Sequence, residues 1–378
     1  MEYIATQKTL YPELANDYDT LAELYEKKLW HQLSNALEEF LSNPKNNKGQ
    51  DFTQLYTSFL SSVEARLNQV KLATLVSLIG NTLNDYETAL EFYKKVLSAR
   101  SRLGPEASMC LDMDSVIINM KMGKLDIAKA GLDSAKENLS SIKPTESVVF
   151  SKFYLATSEY RKLVGPPQEF YNAALMFLSY TPIDDLSNEA KYILATDMAL
   201  ASITGDEIFN FGEVIATPIL SYLVGTPNQW MRDLVFALNS GLIDEFNRIV
   251  GENQESYYQQ PALANRHEVV KQKAVLLCVL NTAFERSSND RQIAFTDIAA
   301  RASIPLDQVE WVLMRAMSLG LIKGIIDGVD GVVNVTWVQP RVLDTKQLSQ
   351  LNDQLGLWNE RVKSALVVIE DQTPELFA

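Results

Sequence analysis

The stretch that decides the fold runs from Arg291 to Pro340 and reads RQIAFTDIAARASIPLDQVEWVLMRAMSLGLIKGIIDGVDGVVNVTWVQP. Here the apolar residues leave the helical spacing that dominates the rest of the chain and then return to it. Residues 292–295 favour a short extended segment, and Thr296 is expected as the N-cap of a first short helix. Ser303-Ile304-Pro305 ends this helix, because proline cannot continue it.

A second helix and a hairpin follow. From Leu306 onward, apolar residues recur at spacings of three and four until Gly320, a residue that favours the end of a helix. Residues 321–326 and 332–338 have the composition of strands, and residues 327–331 favour a turn between them. Two helices followed by a hairpin are typical of a winged helix, which we place at about residues 290–340.

Charge indicates what this winged helix contacts. A helix that enters a DNA groove needs Lys and Arg to meet phosphate groups. The second helix instead carries Asp307, Glu310 and a single basic residue, Arg315, and the predicted turn holds Asp327 and Asp330. The residues therefore favour a protein partner, and a winged-helix nucleic-acid adaptor is the competing interpretation.

Composition restricts the class of protein. A length of 378 residues allows two or three domains, and a formal net charge of −14 disfavours phosphate backbones and anionic membranes. Cys110 and Cys278 lie far apart in helical patterns, which excludes a disulfide framework and a four-ligand zinc site built from them. The first residues show no signal-peptide pattern, and no segment approaches the roughly twenty apolar residues that span a bilayer. We expect a soluble, intracellular protein.

Before residue 290 almost every segment has helical spacing, and apolar residues recur at positions i, i+3, i+7 and i+10. The four sets are Trp30, Leu33, Leu37, Phe40; Tyr86, Ala89, Tyr93, Val96; Leu125, Ala128, Leu132, Ala135; and Phe170, Ala173, Phe177, Tyr180. Small residues at the second position let neighbouring helices approach closely, as in stacked helical pairs. This predicts an α-solenoid of tetratricopeptide-like pairs. An irregular helical bundle is the alternative, because any amphipathic helix shows such spacing.

The end of the chain has a heptad pattern, in which steps of three and four alternate. Its apolar positions are Leu348, Leu351, Leu355, Trp358, Val362, Ala365 and Ile369. Such a seam packs on other helices, and left exposed it would promote aggregation. The seam is buried either on its own domain or on another chain, and we favour another chain.

These patterns supply the candidate interface residues. On the C-terminal helix they are Leu348, Leu351, Leu355, Trp358, Val362 and Ile369. On the winged helix they are Ile325, Val333, Val335 and Trp337. Main-chain groups at the edge of the hairpin are expected to extend a sheet or pack against a neighbouring subunit.

The sequence offers no motif for catalysis. His31 and His267 are the only histidines, and the metal-ligand, phosphate-loop, dinucleotide-binding and nucleophile-elbow patterns are all absent. Cys278 lies among apolar residues, where a thiol is normally an inert small hydrophobe. We expect no enzyme activity, no catalytic residue, no metal and no cofactor.

Two segments in the last third of the chain carry a family resemblance. Residues 310–324 (EWVLMRAMSLGLIKG) and 336–342 (TWVQPRV) resemble the PCI domain of one family of proteasome lid subunits, non-ATPase regulatory subunit thirteen, also called regulatory particle non-ATPase subunit nine. Residues 210–213 and 218–220 resemble the start of that domain, and residues 28–33 resemble the family's N-terminal helix. The similarity covers most of the chain and is dense after about residue 205.

The resemblance implies a non-catalytic scaffold and assembly subunit of the 26S proteasome regulatory particle lid, which supports ubiquitin-dependent protein degradation. The implied partners are the other PCI subunits of the lid, the metalloprotease-type lid subunits through a helical bundle, and the ubiquitin-receptor subunit, with no membrane and no nucleic acid. The implied location is the cytoplasm and nucleus. A PCI subunit of the signalosome or of a translation initiation complex is the alternative.

The predicted fold class is therefore mostly α, in three parts. Residues 1–205 form the helical-repeat solenoid, residues 206–340 form a PCI domain that includes the winged helix and its small β-hairpin, and residues 341–378 form the C-terminal assembly helix. A long helix from about His267 to Phe284 is expected to lie beneath the winged helix.

Overall fold

The computed structural model describes residues 8, 14–43, 52–83, 85–98, 103–142, 145–286, 291–343 and 345–372. The chain divides into two units, Met1–Ser187 and Asn188–Ala378. The helix Asn188–Thr204, which was predicted to end the solenoid, belongs to the second unit. The structural division therefore falls one helix before the expected boundary at residue 205.

The first unit is helical throughout its described residues. Its main helices are α1 (Ala15–Glu26), α2 (Trp30–Ser42), α3 (Gln69–Thr82), α4 (Tyr86–Leu97), α5 (Pro105–Lys121), α6 (Leu125–Ile142), α7 (Ser147–Val164) and α8 (Pro167–Tyr180). Short helical segments lie at Thr53–Leu55, Tyr56–Leu60, Ser61–Val63, Glu64–Arg66 and Ile183–Asp185.

Successive helices of this unit pack as pairs, and the pairs stack. Helix α1 contacts α2, α3 contacts α4, α5 contacts α6, and α7 contacts α8. The first helices of neighbouring pairs also touch, α3 against α5 and α5 against α7. Ala89, Ala128 and Ala173 are buried, as the close approach of helices requires, whereas Tyr86 at the start of α4 is exposed. The predicted helical-pair repeat is confirmed.

A polar ladder crosses three of the stacked helices. Asp114 of α5 is hydrogen-bonded to the Ser77 hydroxyl of α3, and it accepts a hydrogen bond of 2.6 Å from Lys152 Nζ of α7. Lys152 Nζ also donates to Ser77 Oγ at 2.9 Å. Because both charged groups are largely buried, each stabilises the unit only while its partners are in place. The ladder thereby favours one register for the three helices.

The second unit combines helices with a small sheet. Its main helices are α9 (Asn188–Thr204), α10 (Gln229–Ser240), α11 (Ile243–Glu252), α12 (His267–Glu285), α13 (Phe295–Ala302), α14 (Leu306–Ser318) and α15 (Thr345–Gln372). Its strands are β1 (Gln292–Ala294), β2 (Ile322–Asp327) and β3 (Val332–Val338). Short helical segments lie at Gly212–Ala216, Pro218–Leu223, Gln254–Gln259 and Pro261–Ala264.

The winged helix forms as predicted and includes a third strand. The sheet has the order β1-β3-β2, and both strand pairs are antiparallel. Helix α12 packs against α13, α14 and β3, so the predicted long helix does lie beneath the module. Val270, Ala274, Leu277 and Leu280 on its apolar face are all buried.

The start of α13 differs from the prediction. The helix begins at Phe295, whose N–H donates to Gly331 O at 2.8 Å, and Ala294 occupies the cap position. Thr296 is therefore the second residue of the helix, and its prediction as the N-cap was wrong. Pairing of β1 with β3 brings the chain into the helix directly after Ala294, so tertiary contacts override the local capping preference.

A buried ammonium group joins α9 to α12. Lys273 Nζ donates to Ser202 O at 2.6 Å and to Gly205 O at 2.7 Å, and it lies 3.4 Å from Ile203 O. The ammonium also lies 5.0 Å from the ring centroid of Phe211. The last carbonyl groups of a helix have no acceptor role within it, so Lys273 caps the end of α9.

A second cation acts at the same place. Arg266, directly before α12, donates to Thr204 O at 2.9 Å and pairs with the Asp206 carboxylate at 3.1 Å. Burial lowers the pKa of Lys273 to about 7, and the charge of Asp206 opposes this shift. The two cations hold the end of α9 against the start of α12.

We predict that Lys273→Met destabilises the second unit, because it leaves buried carbonyl oxygens without a donor. A loss of about 2–3 kcal/mol at pH 7 is expected. The unfolded chain binds the Lys273 proton up to its ordinary pKa of about 10.4, whereas the folded chain releases it near pH 7. The wild-type unfolding free energy should therefore rise relative to the variant between pH 7 and pH 9, by up to about 1.4 kcal/mol per pH unit.

The measurement is urea unfolding followed by tryptophan fluorescence, since Trp230, Trp311, Trp337 and Trp358 all lie in the second unit. Lys271→Met is the matched control, because Lys271 is exposed two residues away on the same helix. Its stability should stay within about 0.5 kcal/mol of the wild type. A wild-type advantage that is constant or falls from pH 7 to pH 9 would contradict the assignment.

Candidate protein interface

The four interface residues predicted on the winged helix separate into two pairs. Val333 and Val335 are 0% and 3% exposed, so their side chains belong to the core of the module and are not available to a partner. Ile325 and Trp337 are 70% and 38% exposed. Strand alternation alone places Val333, Val335 and Trp337 on one face, and the structure breaks this alternation.

A β-bulge explains the change of face. Lys323 pairs with Trp337, but the next residue, Gly324, pairs with Val335, which leaves Thr336 as the extra residue. The Thr336 hydroxyl donates to Lys323 O at 3.1 Å. A Cβ at Gly324 would lie 2.3 Å from Asn334 O, so the close approach of the two strands here requires glycine. The bulge turns Trp337 outward.

The exposed side of the sheet forms a continuous surface, which we call the outer sheet face. Across the three strands Gln292 pairs with Asn334 and Asn334 with Ile325, which places all three on this face. Lys323 lies two residues from Ile325 on β2, and its ammonium is 5.0 Å from the Trp337 ring centroid. The outer sheet face therefore carries two large apolar side chains and one ammonium group.

The edge of the sheet next to this face belongs to β2. Strand β3 lies between β1 and β2, and among the described residues β2 pairs only with β3. At the tip of the hairpin, Asp327 Oδ1 accepts hydrogen bonds from the N–H groups of Val329 at 3.0 Å and Asp330 at 3.1 Å. Val329 itself is almost fully exposed. Strand β2 is thus an edge that a further strand could join.

The helix that would enter a DNA groove has an apolar and acidic surface. Trp311 and Met314 of α14 are exposed, beside Asp307 and Glu310. The one basic residue, Arg315, lies over the Trp311 ring at 5.6 Å from its centroid. This surface has the chemistry of a protein contact and lacks the row of cations that a phosphate backbone requires.

The C-terminal helix α15 is continuous over 28 residues. The six predicted interface residues on it are exposed in this chain, and Trp358 reaches 65%. The exposed seam residues are Leu348, Leu351, Leu355, Trp358, Val362 and Ile369. The structure therefore does not bury this seam on its own domain.

Helix α15 also carries apolar residues that the heptad reading missed. Leu357, Leu366, Val367 and Val368 are exposed. The last three form an uninterrupted apolar run with Ala365 and Ile369, from residue 365 to 369. Five consecutive residues cover more than one helical turn of 3.6 residues, so the helix is apolar on every side here. The sequence signal for this all-round apolar segment was the consecutive run Ala-Leu-Val-Val-Ile. A search for a single apolar stripe along the helix overlooks it.

The two cysteines and His267, which were weighed as chemical groups from the sequence, have packing roles in the structure. Burial raises the pKa of the Cys110 thiol to about 12 and also raises the pKa of Cys278, whose thiol donates to Arg301 O at 3.4 Å. His267 Nδ1 lies 3.2 Å from the Tyr257 hydroxyl. Within the described residues, no group of three His, Cys, Asp or Glu side chains is placed to hold a metal ion. None of the described helices is long and apolar enough to cross a membrane.

Comparisons with known proteins identify the family. Residues 17–235 match the family described as PSD13 N-terminal repeats, and residues 250–337 match the PCI domain family. The chain is 34% identical to 26S proteasome non-ATPase regulatory subunit 13 homolog B of Arabidopsis thaliana, over 100% of this chain and 99% of that protein. It is 31% identical to probable 26S proteasome regulatory subunit rpn9 of Schizosaccharomyces pombe, over 98% of this chain and 95% of that protein.

A weaker match extends to another complex. Eukaryotic translation initiation factor 3 subunit M of Coccidioides immitis is 21% identical over 58% of this chain and 46% of that protein. The proteasome relatives instead align from end to end, across the repeat region and the winged helix alike. The chain therefore belongs to the 26S proteasome non-ATPase regulatory subunit 13 family, as residues 310–324 and 336–342 implied.

Proposed function

We propose that this chain is a non-catalytic scaffold subunit of the 26S proteasome regulatory particle lid and supports ubiquitin-dependent protein degradation. The observation that carries the proposal is the exposed apolar surface of α15, in a chain whose full-length relatives bear proteasome subunit names. A soluble monomer rarely exposes a contiguous apolar surface of this extent without a partner. The helix acts by burying that surface on companion chains.

Two surfaces are needed for stable assembly. Fully burying a Leu, Val or Ile side chain gains roughly 1.5–3 kcal/mol, so completing the burial of six half-exposed seam residues gains on the order of 6 kcal/mol. Association itself costs roughly 4–15 kcal/mol in lost freedom. The seam alone is therefore marginal, and the outer sheet face with the β2 edge supplies the second contact.

This division suggests which partners each surface serves. The winged helix offers a strand edge and a Trp-centred patch, which suit other PCI subunits of the lid through sheet extension or packing. Helix α15 suits a helical bundle that includes the metalloprotease-type lid subunits. The repeat unit is the remaining surface for the ubiquitin-receptor subunit. The cytoplasm and nucleus, where such a complex works, are the proposed location.

Affinity purification of the tagged chain from cell extract, with mass spectrometry, tests the proposal. Co-purification of proteasomal ATPases is expected, whereas recovery with signalosome or translation initiation subunits and without these ATPases would refute it. The nucleic-acid alternative is addressed by titration with duplex DNA and RNA at two salt concentrations. Salt-dependent, saturable binding there would favour the adaptor function over the scaffold function.

We predict that Leu355→Asp with Trp358→Asp abolishes incorporation into the complex and leaves the isolated chain folded. Both side chains are exposed in the free chain, so charging them costs little until a partner covers them. An unpaired buried charge costs several kcal/mol, so incorporation should fall at least about tenfold. Incorporation is measured by quantitative mass spectrometry of purified complexes, and folding by circular dichroism.

Lys363→Gln with Ser364→Asp is the matched control, because it changes the net charge equally at exposed positions outside the seam. This control should incorporate like the wild type. Unfolding of the isolated Leu355→Asp, Trp358→Asp chain would show that the seam belongs to its own core. Unchanged incorporation of that variant would show that the seam is not an assembly surface.

The winged helix provides a second prediction from two residues four positions apart. Val333→Ala removes buried atoms and should lower the unfolding free energy by about 2 kcal/mol. Trp337→Ala removes a side chain that is 38% exposed and should lower that free energy by about 1–2 kcal/mol, no more than Val333→Ala, yet weaken incorporation roughly thirtyfold if Trp337 is an interface hot spot. Urea unfolding and competitive incorporation against wild type measure the two effects. A destabilised but normally incorporated Trp337→Ala chain would reverse the assignment.

A further inference from the structure

The linker between β3 and α15, residues 339–343, is held at several points although it forms no helix or strand. Its first residue, Gln339, donates its N–H to Leu321 O at 2.8 Å, which continues the β2–β3 pairing beyond the last strand residue. The linker therefore leaves the sheet in a fixed direction.

Arg341 supplies the second point of attachment. Its Nη2 donates to both the backbone O and the side-chain Oδ1 of Asn239, each at 2.9 Å. Asn281 of α12 donates to the same Asn239 O at 2.9 Å. Asn239 lies at the end of α10, where the last carbonyl groups lack helical donors. A planar guanidinium that meets two acceptors on one residue gives this contact a defined orientation.

The anchor itself is rigid. Gly241, just after α10, has a positive φ of 64°, and a Cβ there would lie 2.5 Å from Asn281 Nδ2 and 3.1 Å from Leu277 O. The end of α10 is thus packed directly on α12, so Arg341 ties the linker to the central helix of the unit.

Val342 supplies the third point. A Cβ on Gly212 would lie 2.5 Å from Val342 Cβ and 3.3 Å from its Cα, so the linker crosses the backbone at Gly212 at a distance that only glycine permits. This contact joins two segments that carried the family resemblance, residues 210–213 and residues 336–342.

Beyond its first turns, α15 is exposed along its described length. The side chains of residues 351–369 are all exposed. A helix of 28 residues is about 42 Å long, so a rotation of roughly 15° at its base moves its tip by about 10 Å. The contacts that hold the base of α15 therefore determine the position of its apolar C-terminal end.

We propose that Arg341 is a positioning residue: with Val342 it sets the direction in which α15 leaves the winged helix. This inference rests on the proposed function, since a direction matters only if α15 meets a partner. A helix whose orientation is already fixed in the free chain loses less conformational entropy when it enters a bundle. Arg341 therefore contributes to assembly without touching the partner.

Pulsed electron paramagnetic resonance on the full-length chain tests the geometry. Spin labels are attached at Gln308→Cys on α14 and at Asp371→Cys near the tip of α15, both exposed positions, while the two native cysteines are buried. Arg341→Met should broaden the distance distribution by about 10 Å, the spread of a loosened base. Arg248→Met, an exposed arginine on α11, is the control and should leave the distribution unchanged.

Val342→Gly is the second variant, chosen because Val342 is exposed and its loss threatens folding least. It should broaden the distribution with Arg341 intact. Circular dichroism confirms that each variant is folded. Unchanged distributions in folded Arg341→Met and Val342→Gly chains would overturn the proposal.

Competitive incorporation, with unlabelled variants against the wild type, tests the consequence. Arg341→Met should need roughly tenfold more chain for half-maximal incorporation, and Arg248→Met should match the wild type. Broadened distances with normal incorporation would overturn the assembly role. Failure of the wild type to enter the complex would instead refute the proposed function, and the resonance measurement would still decide whether Arg341 aims the helix.

Discussion

The second unit depends on one constraint, the burial of the Lys273 amine between α9 and α12. An amine leaves water only where other groups replace part of its hydration. Here carbonyl oxygens at the end of α9 and the face of Phe211 do so, and they exist at one position along the helix. The two helices can therefore pack in a single register. Since α12 contacts α10, α11, α13, α14 and β3, that register sets the position of the two helices and the central strand of the winged helix.

The sheet likewise depends on a local feature that fits at one position, the β-bulge in β3. A strand with strict alternation presents one set of residues to the core and the other to solvent. The bulge at Thr336 lets β3 keep Val333 and Val335 in the core and still expose Trp337. Gly324 makes the bulge possible, because a side chain there would collide with Asn334 O. An exposed tryptophan and two core residues thus share one short strand without competing for the same face.

The sequence predicted what depends on period and composition: the helical pairs, the winged helix at about residues 290–340, and the heptad pattern of the last helix. It misplaced what depends on contacts between distant segments. Val333 and Val335 were predicted as interface residues, but their side chains lie in the core, and only the pairing register reveals the bulge that separates them from Trp337. Lys273 gave no usable signal, since a lysine within an apolar helix normally lies at its surface. Arg341 gave no signal of its own within the family motif at residues 336–342, because its partner Asn239 is about a hundred residues away.

A chain that works by assembly must keep apolar surface exposed and still fold alone. This protein separates the two requirements along its length. Most apolar residues of α12 are buried, as are Val333 and Val335 of β3, whereas those of the α15 seam are exposed. If the seam folded back on its own unit, its burial would stabilise the free chain and would have to be reversed before a partner could bind, at a cost on the order of the same 6 kcal/mol. A helix fixed at its base by the linker, with seam residues such as Leu355 and Trp358 exposed in the free chain, avoids that competition.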